Sequence, residues 1–186
     1  SQYIPTRGAL MDKPPVATAV SKLETTDAVE MQIRGLMMDP ATNMPIVVLK
    51  DVESDTILPI WVGAYEANAI AYELEKATVA RPLTHDLLRD VTRALGATVE
   101  RVVVSALRGD TYYATICMRQ GTEPVIVDAR PSDAIALALR WDCPIFVERS
   151  VLERARPAQN ALGVTPEQTR RWLEDLNDDE MGHYKM

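Results

Sequence analysis

Residues 97–129 read ATVERVVVSALRGDTYYATICMRQGTEPVIVDA. Three runs rich in β-branched and apolar residues stand at 97–107, 111–119 and 123–129, separated only by Arg108-Gly109-Asp110 and Gln120-Gly121-Thr122. Links this short join antiparallel neighbours through tight turns, whereas parallel neighbours need a crossover of about a dozen residues or more. Gly-Asp is favourable turn chemistry, so the Arg-Gly-Asp reads as a hairpin rather than as an adhesion motif. The stretch predicts three consecutive antiparallel strands.

Upstream the same logic holds. VEMQIRGLM, from Val29, alternates apolar and polar residues, the mark of a half-buried strand, and DPATN at 39–43 is a turn. PIVVLK at 45–50 and ILPIWV at 57–62 form a second hairpin. Both runs are apolar on both faces, more than one helical layer covers in a body this small, and such patches mark self-association. A homo-oligomer is therefore expected. Helices are predicted over 64–77, over Leu83–Leu95 with Gly96 as the left-handed stop, and over about 132–141. A short strand PIFVE follows, with a last turn at Ser150–Ala155. Strands joined by hairpins, with helices set between them, predict an α+β fold: a mixed, mainly antiparallel sheet with about three packed helices.

The chain has 186 residues and suits one body with extensions. Residues 1–28 contain a Pro-Pro pair and no periodicity, and read as an N-terminal arm. Residues 29–156 form the domain. Residues 157–186 read as a helical appendage, opening at Thr165-Pro166-Glu167, and an acidic tail. No run approaches the ~20 apolar residues that span a bilayer. The N-terminus shows no export pattern, so a cytoplasmic location is expected. Cys117 and Cys143 stand alone in apolar settings, as two buried free thiols would.

The formal charge is −7. An acidic body argues against a broad surface tracking phosphates, since nonspecific nucleic-acid affinity comes from cationic neutralisation. Nucleic-acid chemistry would need a local basic pocket or a metal ion. Residues 29–156 contain twelve arginines and two lysines, a bias that favours bidentate phosphate contacts and that a GC-rich coding bias would also produce. There is no Gly-rich phosphate loop, no HExxH, no Cys/His cluster and no GxSxG.

Two stretches carry the remaining signal: ARPLTHDLLRD at 80–90 and ARPSDAIALALR at 129–140. Each sets Ala-Arg-Pro before a helix, whose N-terminus favours anions. Thr84 and Ser132 are the expected N-caps, with Leu87 and Ile135 three residues on facing the core. Pro82 and Pro131 hold Arg81 and Arg130 out of helical geometry. Each arginine either reaches across its helix mouth to a phosphate or pairs with a nearby carboxylate such as Asp86, Asp128 or Asp133. His85, exposed in a first turn beside Asp86, is either a general base or an idle surface histidine. Glu66 and Glu73, seven apart on one helix, are either divalent-metal ligands or a solvated face. If the two mouths pack on one sheet, the arginines and His85 are expected to converge on one pocket.

GLMMDPATNMPIVVLKD, LPIWVGAYEANAIAYELE, RPLTHDLL and DARPSDAIALALR…CPIFV, in this order, resemble the bifunctional nuclease family. The resemblance runs from about Val29 to Arg154, and the closing DDEMGHYKM is similar to the tail of some bacterial members. It implies an α+β fold, oligomeric assembly and hydrolysis of both RNA and DNA. Of the motif residues, those able to do chemistry are Glu66, Glu73, Arg81, His85, Asp86, Arg130, Ser132 and Asp133. The resulting expectation is a nuclease assisted by Mg²⁺ or Mn²⁺. His85, Asp86, Glu66 and Glu73 would be catalytic, with Asp86 orienting His85 or joining the glutamates on the metal. Arg81, Thr84, Arg130, Ser132 and Asp133 would bind substrate. The alternative is a non-catalytic oligomeric module that binds an anion or a partner's carboxylate.

Overall fold

The computed structural model describes residues 27–161, with side chains through Ala155. The expected N-terminal arm and C-terminal appendage lie outside that range, apart from the junctions. The elements in chain order are β1 (Ala28–Met38), β2 (Pro45–Asp51), β3 (Ile57–Trp61), α1 (Ala64–Leu74), α2 (Thr84–Ala94), β4 (Ala97–Arg108), β5 (Thr111–Gln120), β6 (Glu123–Ala129), α3 (Pro131–Trp141), β7 (Ile145–Glu148) and α4 (Arg149–Ala161). The fold is α+β, as the hairpin pattern predicts. Four helices stand among the described residues, because the turn expected at Ser150–Ala155 is the first half of α4, which continues past Pro157.

All seven strands form one sheet in the order β3-β2-β1-β7-β4-β5-β6. The meander β4-β5-β6 is antiparallel, with Arg108 opposite Thr111 across the Arg-Gly-Asp turn. β1-β2-β3 is antiparallel as well. The four-residue β7 joins the two halves, running antiparallel to β1 and parallel to β4. That one parallel contact makes the sheet mixed. β7 serves as the seam because its inward residues, Ile145 and Val147, are fully apolar and 5% and 0% exposed.

The register puts Val47, Leu49, Leu58, Ile60, Val102, Val104, Ile145 and Val147 in one core with Ala67 and Ile70 of α1 and Ile135 and Leu137 of α3. α3 is the central helix. Its run Ala134–Ala138 is buried without interruption, and its alanines let α1 and α2 pack closely on it. Truncating Ile135 there to Ala would cost about 2–5 kcal/mol.

Two expectations need correction. The hairpin does not present an uncovered face: Ile46, Val47, Val48 and Leu49 are all buried within the single chain. Leu87 does not face the core. No residue of α2 is buried, and Leu87, Leu88, Val91 and Leu95 are exposed. The helical period holds, but the apolar stripe of α2 meets solvent rather than the core. Cys117 is buried and Cys143 partly buried, both free; burial raises both thiols, Cys143 to about 11. The 39–43 turn closes around Asp39, which accepts hydrogen bonds from Ala41 N, Thr42 Oγ1 and, from β3, Trp61 Nε1.

Candidate functional site

The two Ala-Arg-Pro stretches form two helix mouths, each with its N-cap earlier in the chain than expected. α3 begins at Pro131, so Arg130, with φ −70° and ψ 145°, occupies the N-cap. A proline at the first helical position needs no backbone partner there, and it holds the preceding residue extended. Ser132 is therefore a buried second helical residue, not a cap. α2 begins at Thr84 with Leu83 as N-cap. Thr84 is exposed and caps nothing; Asp86 does the reciprocal work, accepting Leu83 N at 2.8 Å.

α3 lies between α1 and α2 and gathers side chains from all three helices. Arg130 bridges two carboxylates: Nη2 lies 2.8 Å from Glu66 Oε1 of α1, and Nε donates to Asp133 Oδ2 at 2.7 Å. The other oxygen of Asp133 meets His85 Nε2 of α2 at 2.9 Å. The result is a continuous row, Glu66–Arg130–Asp133–His85. Glu66 reaches Arg130 by folding back over its own N-cap, Gly63, where any Cβ would collide with the Glu66 carboxylate. Burial pushes the Asp133 carboxyl up, but hydrogen bonds from Arg130 and His85 and their charges outweigh it and hold it below the usual range. The same contacts, Asp133 first, raise Arg130.

His85 is more enclosed than a surface residue, its side chain 12% exposed, and that corrects the expectation of an exposed first-turn position. Among the described residues its Nδ1 has no hydrogen-bond partner, and it is not one of the fully buried unpartnered atoms, so at least part of it is accessible. Asp133, not Asp86, therefore holds the imidazole.

Asp86 turns the other way. Its Oδ1 accepts Arg140 Nε at 2.6 Å, and Arg140, 1% exposed at the side chain, also donates to Ala136 O at 2.8 Å and to Ala69 O at 3.1 Å. Desolvation raises the Asp86 carboxyl, while the Leu83 N–H and Arg140 lower it by more. Arg140 was not singled out from sequence. The available signal was an arginine closing the apolar run AIALALR, where a charge must find a partner.

Beside this pair opens a cavity of about 290 Å³ whose walls include Tyr72, Glu73, Arg81, Asp86, Arg89 and Arg140. Neither Arg130 nor His85 belongs to it. The helix mouths do meet, through His85 and Asp133; of the two guanidinium groups, that of Arg81 lines this cavity and that of Arg130 does not. Nor do the proposed metal ligands converge. Glu66 is held by Arg130, Glu73 by Lys76 at 2.9 Å and Asp86 by Arg140. Among the described residues no group of three or more His, Cys, Asp or Glu is placed to hold a metal ion. In this arrangement each of the three carboxylates is paired with a basic side chain.

Residues 47–160, the region from the first hairpin to α4, match the bifunctional nuclease domain model. The chain belongs to the bifunctional nuclease domain family. It is similar to an uncharacterized protein of Mycobacterium tuberculosis (strain CDC 1551 / Oshkosh), 36% identical over 84% of this chain and 90% of that one. It is also similar to Bifunctional nuclease of Oryza minuta, 26% identical over 77% of this chain and 46% of that one. Bifunctional nuclease 1 of Arabidopsis thaliana is 27% identical over 62% of this chain and 36% of its own length. The family region contains all of Glu66, His85, Arg130 and Asp133, so the row lies within the part of the chain that carries the likeness. Among the described residues, no helix is long and apolar enough to cross a membrane.

Proposed function

We propose that this chain hydrolyses phosphodiester bonds in RNA and DNA, with His85 as general base and Asp133 as its orienting partner. The observation that carries the reading is the His85–Asp133 contact at 2.9 Å with Nδ1 at least partly accessible. Asp133, kept ionised, accepts the Nε2 proton and so fixes the tautomer whose Nδ1 lone pair faces out. DNA has no 2′-hydroxyl, so an enzyme acting on both polymers must activate water. Nδ1 would take the proton from that water as it attacks phosphorus and the P–O bond to the leaving sugar oxygen breaks; Asp133 would stabilise the resulting imidazolium, and the departing oxygen would take its proton from solvent. Arg130, 66% exposed and anchored by Glu66 and Asp133, has Nη1 left to engage a phosphate oxygen. Arg81, exposed and without a hydrogen bond or ion pair among the described residues, is the second cation offered to substrate. No step is routed through a metal ion.

The contrary reading, a non-catalytic anion- or partner-binding module, draws on the same Arg130: a guanidinium bound to two carboxylates is also what a purely structural brace looks like. Homo-oligomeric assembly belongs to the proposal too. Its remaining physical support is the exposed apolar residues of α2, Leu87, Leu88, Val91 and Leu95, and a monomer mass by light scattering would remove it. A cytoplasmic location is proposed with it. The deciding experiment is turnover of fluorescent single-stranded DNA and RNA, with and without EDTA, by wild type and His85→Ala purified side by side. Equal rates would attribute the activity to a contaminant and leave the binding module.

A further inference from the structure

The cavity between the end of α1, the 75–83 connection and α2 contributes nothing to the proton transfer above, yet it adjoins it. Asp86 stands in its wall and is the chain neighbour of His85. At about 290 Å³ it falls just below the usual size of small-molecule sites, which run ~300–1,000 Å³. Its charged walls are mostly balanced. Arg140 is matched by Asp86, Arg89 by Asp90 and Glu73 by Lys76. Among the described residues Arg81 is the one charged group of the wall with no partner, so the site as a whole favours an anion. Tyr72, on α1, is the one aromatic residue in the wall and is 40% exposed. Val79, Pro82 and Leu83 supply apolar surface around it.

A free inorganic anion would use Arg81 but would gain nothing from an aromatic ring and an apolar wall. A ligand with a flat apolar ring at one end and a phosphate at the other uses both. We propose that this cavity binds one nucleotide unit of a single strand, its base against Tyr72 and its phosphate on Arg81. Stacking on an aromatic side chain is tolerant of base identity, since every base has a π-face. A base paired in a duplex presents no free face to Tyr72, so the subsite selects single-stranded substrate. This rests on the hydrolase reading for its purpose, because a nucleotide held here would set the neighbouring phosphate near His85. The binding itself does not depend on turnover.

The test is binding of adenosine 5′-monophosphate and of inorganic phosphate to the full chain, by calorimetry or by NMR titration, in wild type, Tyr72→Ala, Tyr72→Phe and Arg81→Ala. Wild type is expected to bind AMP more tightly than phosphate. Tyr72→Ala should weaken AMP by roughly 5- to 150-fold, the equivalent of about 1–3 kcal/mol for one lost stack, and leave phosphate binding unchanged. Tyr72→Phe should restore AMP affinity, and Arg81→Ala should weaken both ligands. Both positions are solvent-exposed, and far-UV circular dichroism with a melting curve checks that each variant is folded. No AMP binding at millimolar concentration, equal affinity for AMP and phosphate, or an unaltered Tyr72→Ala overturns the subsite. AMP binding that behaves as expected in a protein without nuclease turnover keeps the subsite and removes the hydrolase reading instead.

Discussion

Asp86 offers the sharpest separation of a structural from a chemical role. Its sequence position beside His85 suggests catalysis; its contacts say that it neutralises a buried arginine. Arg140 is 1% exposed at the side chain, and Asp86 is 15% exposed. Asp86→Ala strands the guanidinium in the interior with only the carbonyls of Ala69 and Ala136 as acceptors. Removing one partner of a buried pair costs about 3–5 kcal/mol, which for a domain of this size lowers Tm by roughly 12–20 °C. Arg140→Met is milder. The carboxylate it leaves sits closer to solvent and keeps the Leu83 N–H, so the loss is about 1.5–3 kcal/mol, that of a hydrogen bond to a charged group. The double variant buries no unpaired charge and should lie near Arg140→Met alone, giving a coupling of about 3–5 kcal/mol in the cycle, the whole cost of Asp86→Ala. Urea unfolding of the four proteins measures this. Assayed well below its Tm, Asp86→Ala should retain far more turnover than His85→Ala. Additive effects, or a cost below about 1 kcal/mol for Asp86→Ala, would refute the buried-pair account, and a turnover loss matching His85→Ala would return Asp86 to the chemistry.

His85→Ala should cut turnover by roughly 10²–10⁴, the usual worth of a general base, with a loss of only about 0.5–1.5 kcal/mol of stability for its one hydrogen bond; a Tm collapse would make His85 structural. Glu73→Gln should leave turnover close to wild type, because Glu73 is bonded to Lys76 and stands apart from the dyad; a large loss that excess Mg²⁺ or Mn²⁺ repairs would restore a metal role. Asp39, held by Thr42, Trp61 and the Ala41 amide, has its carboxyl lowered from 3.8 to about 2. A depressed folded-state pKa contributes stability that is present above the unfolded value and is lost as pH falls through the folded one. The melting temperature should therefore fall between about pH 4 and pH 2 in wild type and fall less in Asp39→Asn.

The hairpins were legible because turn chemistry is local: Gly-Asp and Gly-Thr between apolar runs leave few alternatives. The place of β7 was not. PIFVE reads as a short strand, but nothing within four residues says that it lies between β1 and β4 at the centre of the sheet. α2 shows the same limit. Leu87, Val91 and Leu95 mark a face, and periodicity does not tell whether that face meets the core or solvent. The site residues were mostly in hand as a set, yet their pairing was out of reach. His85 and Asp133 lie 48 residues apart and Asp86 and Arg140 lie 54 apart. Adjacent residues on a helix point about 100° away from each other, so His85 and Asp86 must find partners on different sides of α2, and the sequence names the neighbours without the directions.

The same pairings remove the main physical objection to an anionic substrate. A formal charge of −7 would repel a polyphosphate if it were spread over the site. Around the helix mouths it is not. Glu66 and Asp133 share Arg130, Asp86 has Arg140, Glu73 has Lys76 and Asp90 has Arg89. Each of these five carboxylates lies within 3 Å of a cation, with Glu66 and Asp133 sharing one, so all but one of these charges is largely cancelled within a few ångströms. What the region presents outward is the unmatched guanidinium of Arg81 and the exposed edge of Arg130. A site of this kind needs no basic surface around it. Its affinity for a long strand should rest on very few phosphate contacts, and the salt dependence of binding should be correspondingly shallow, with a log–log slope near −1 to −2 for about two cations on a single strand. A slope several times steeper, measured by fluorescence anisotropy with labelled single-stranded DNA across a salt series, would show that an extended cationic surface holds the substrate instead.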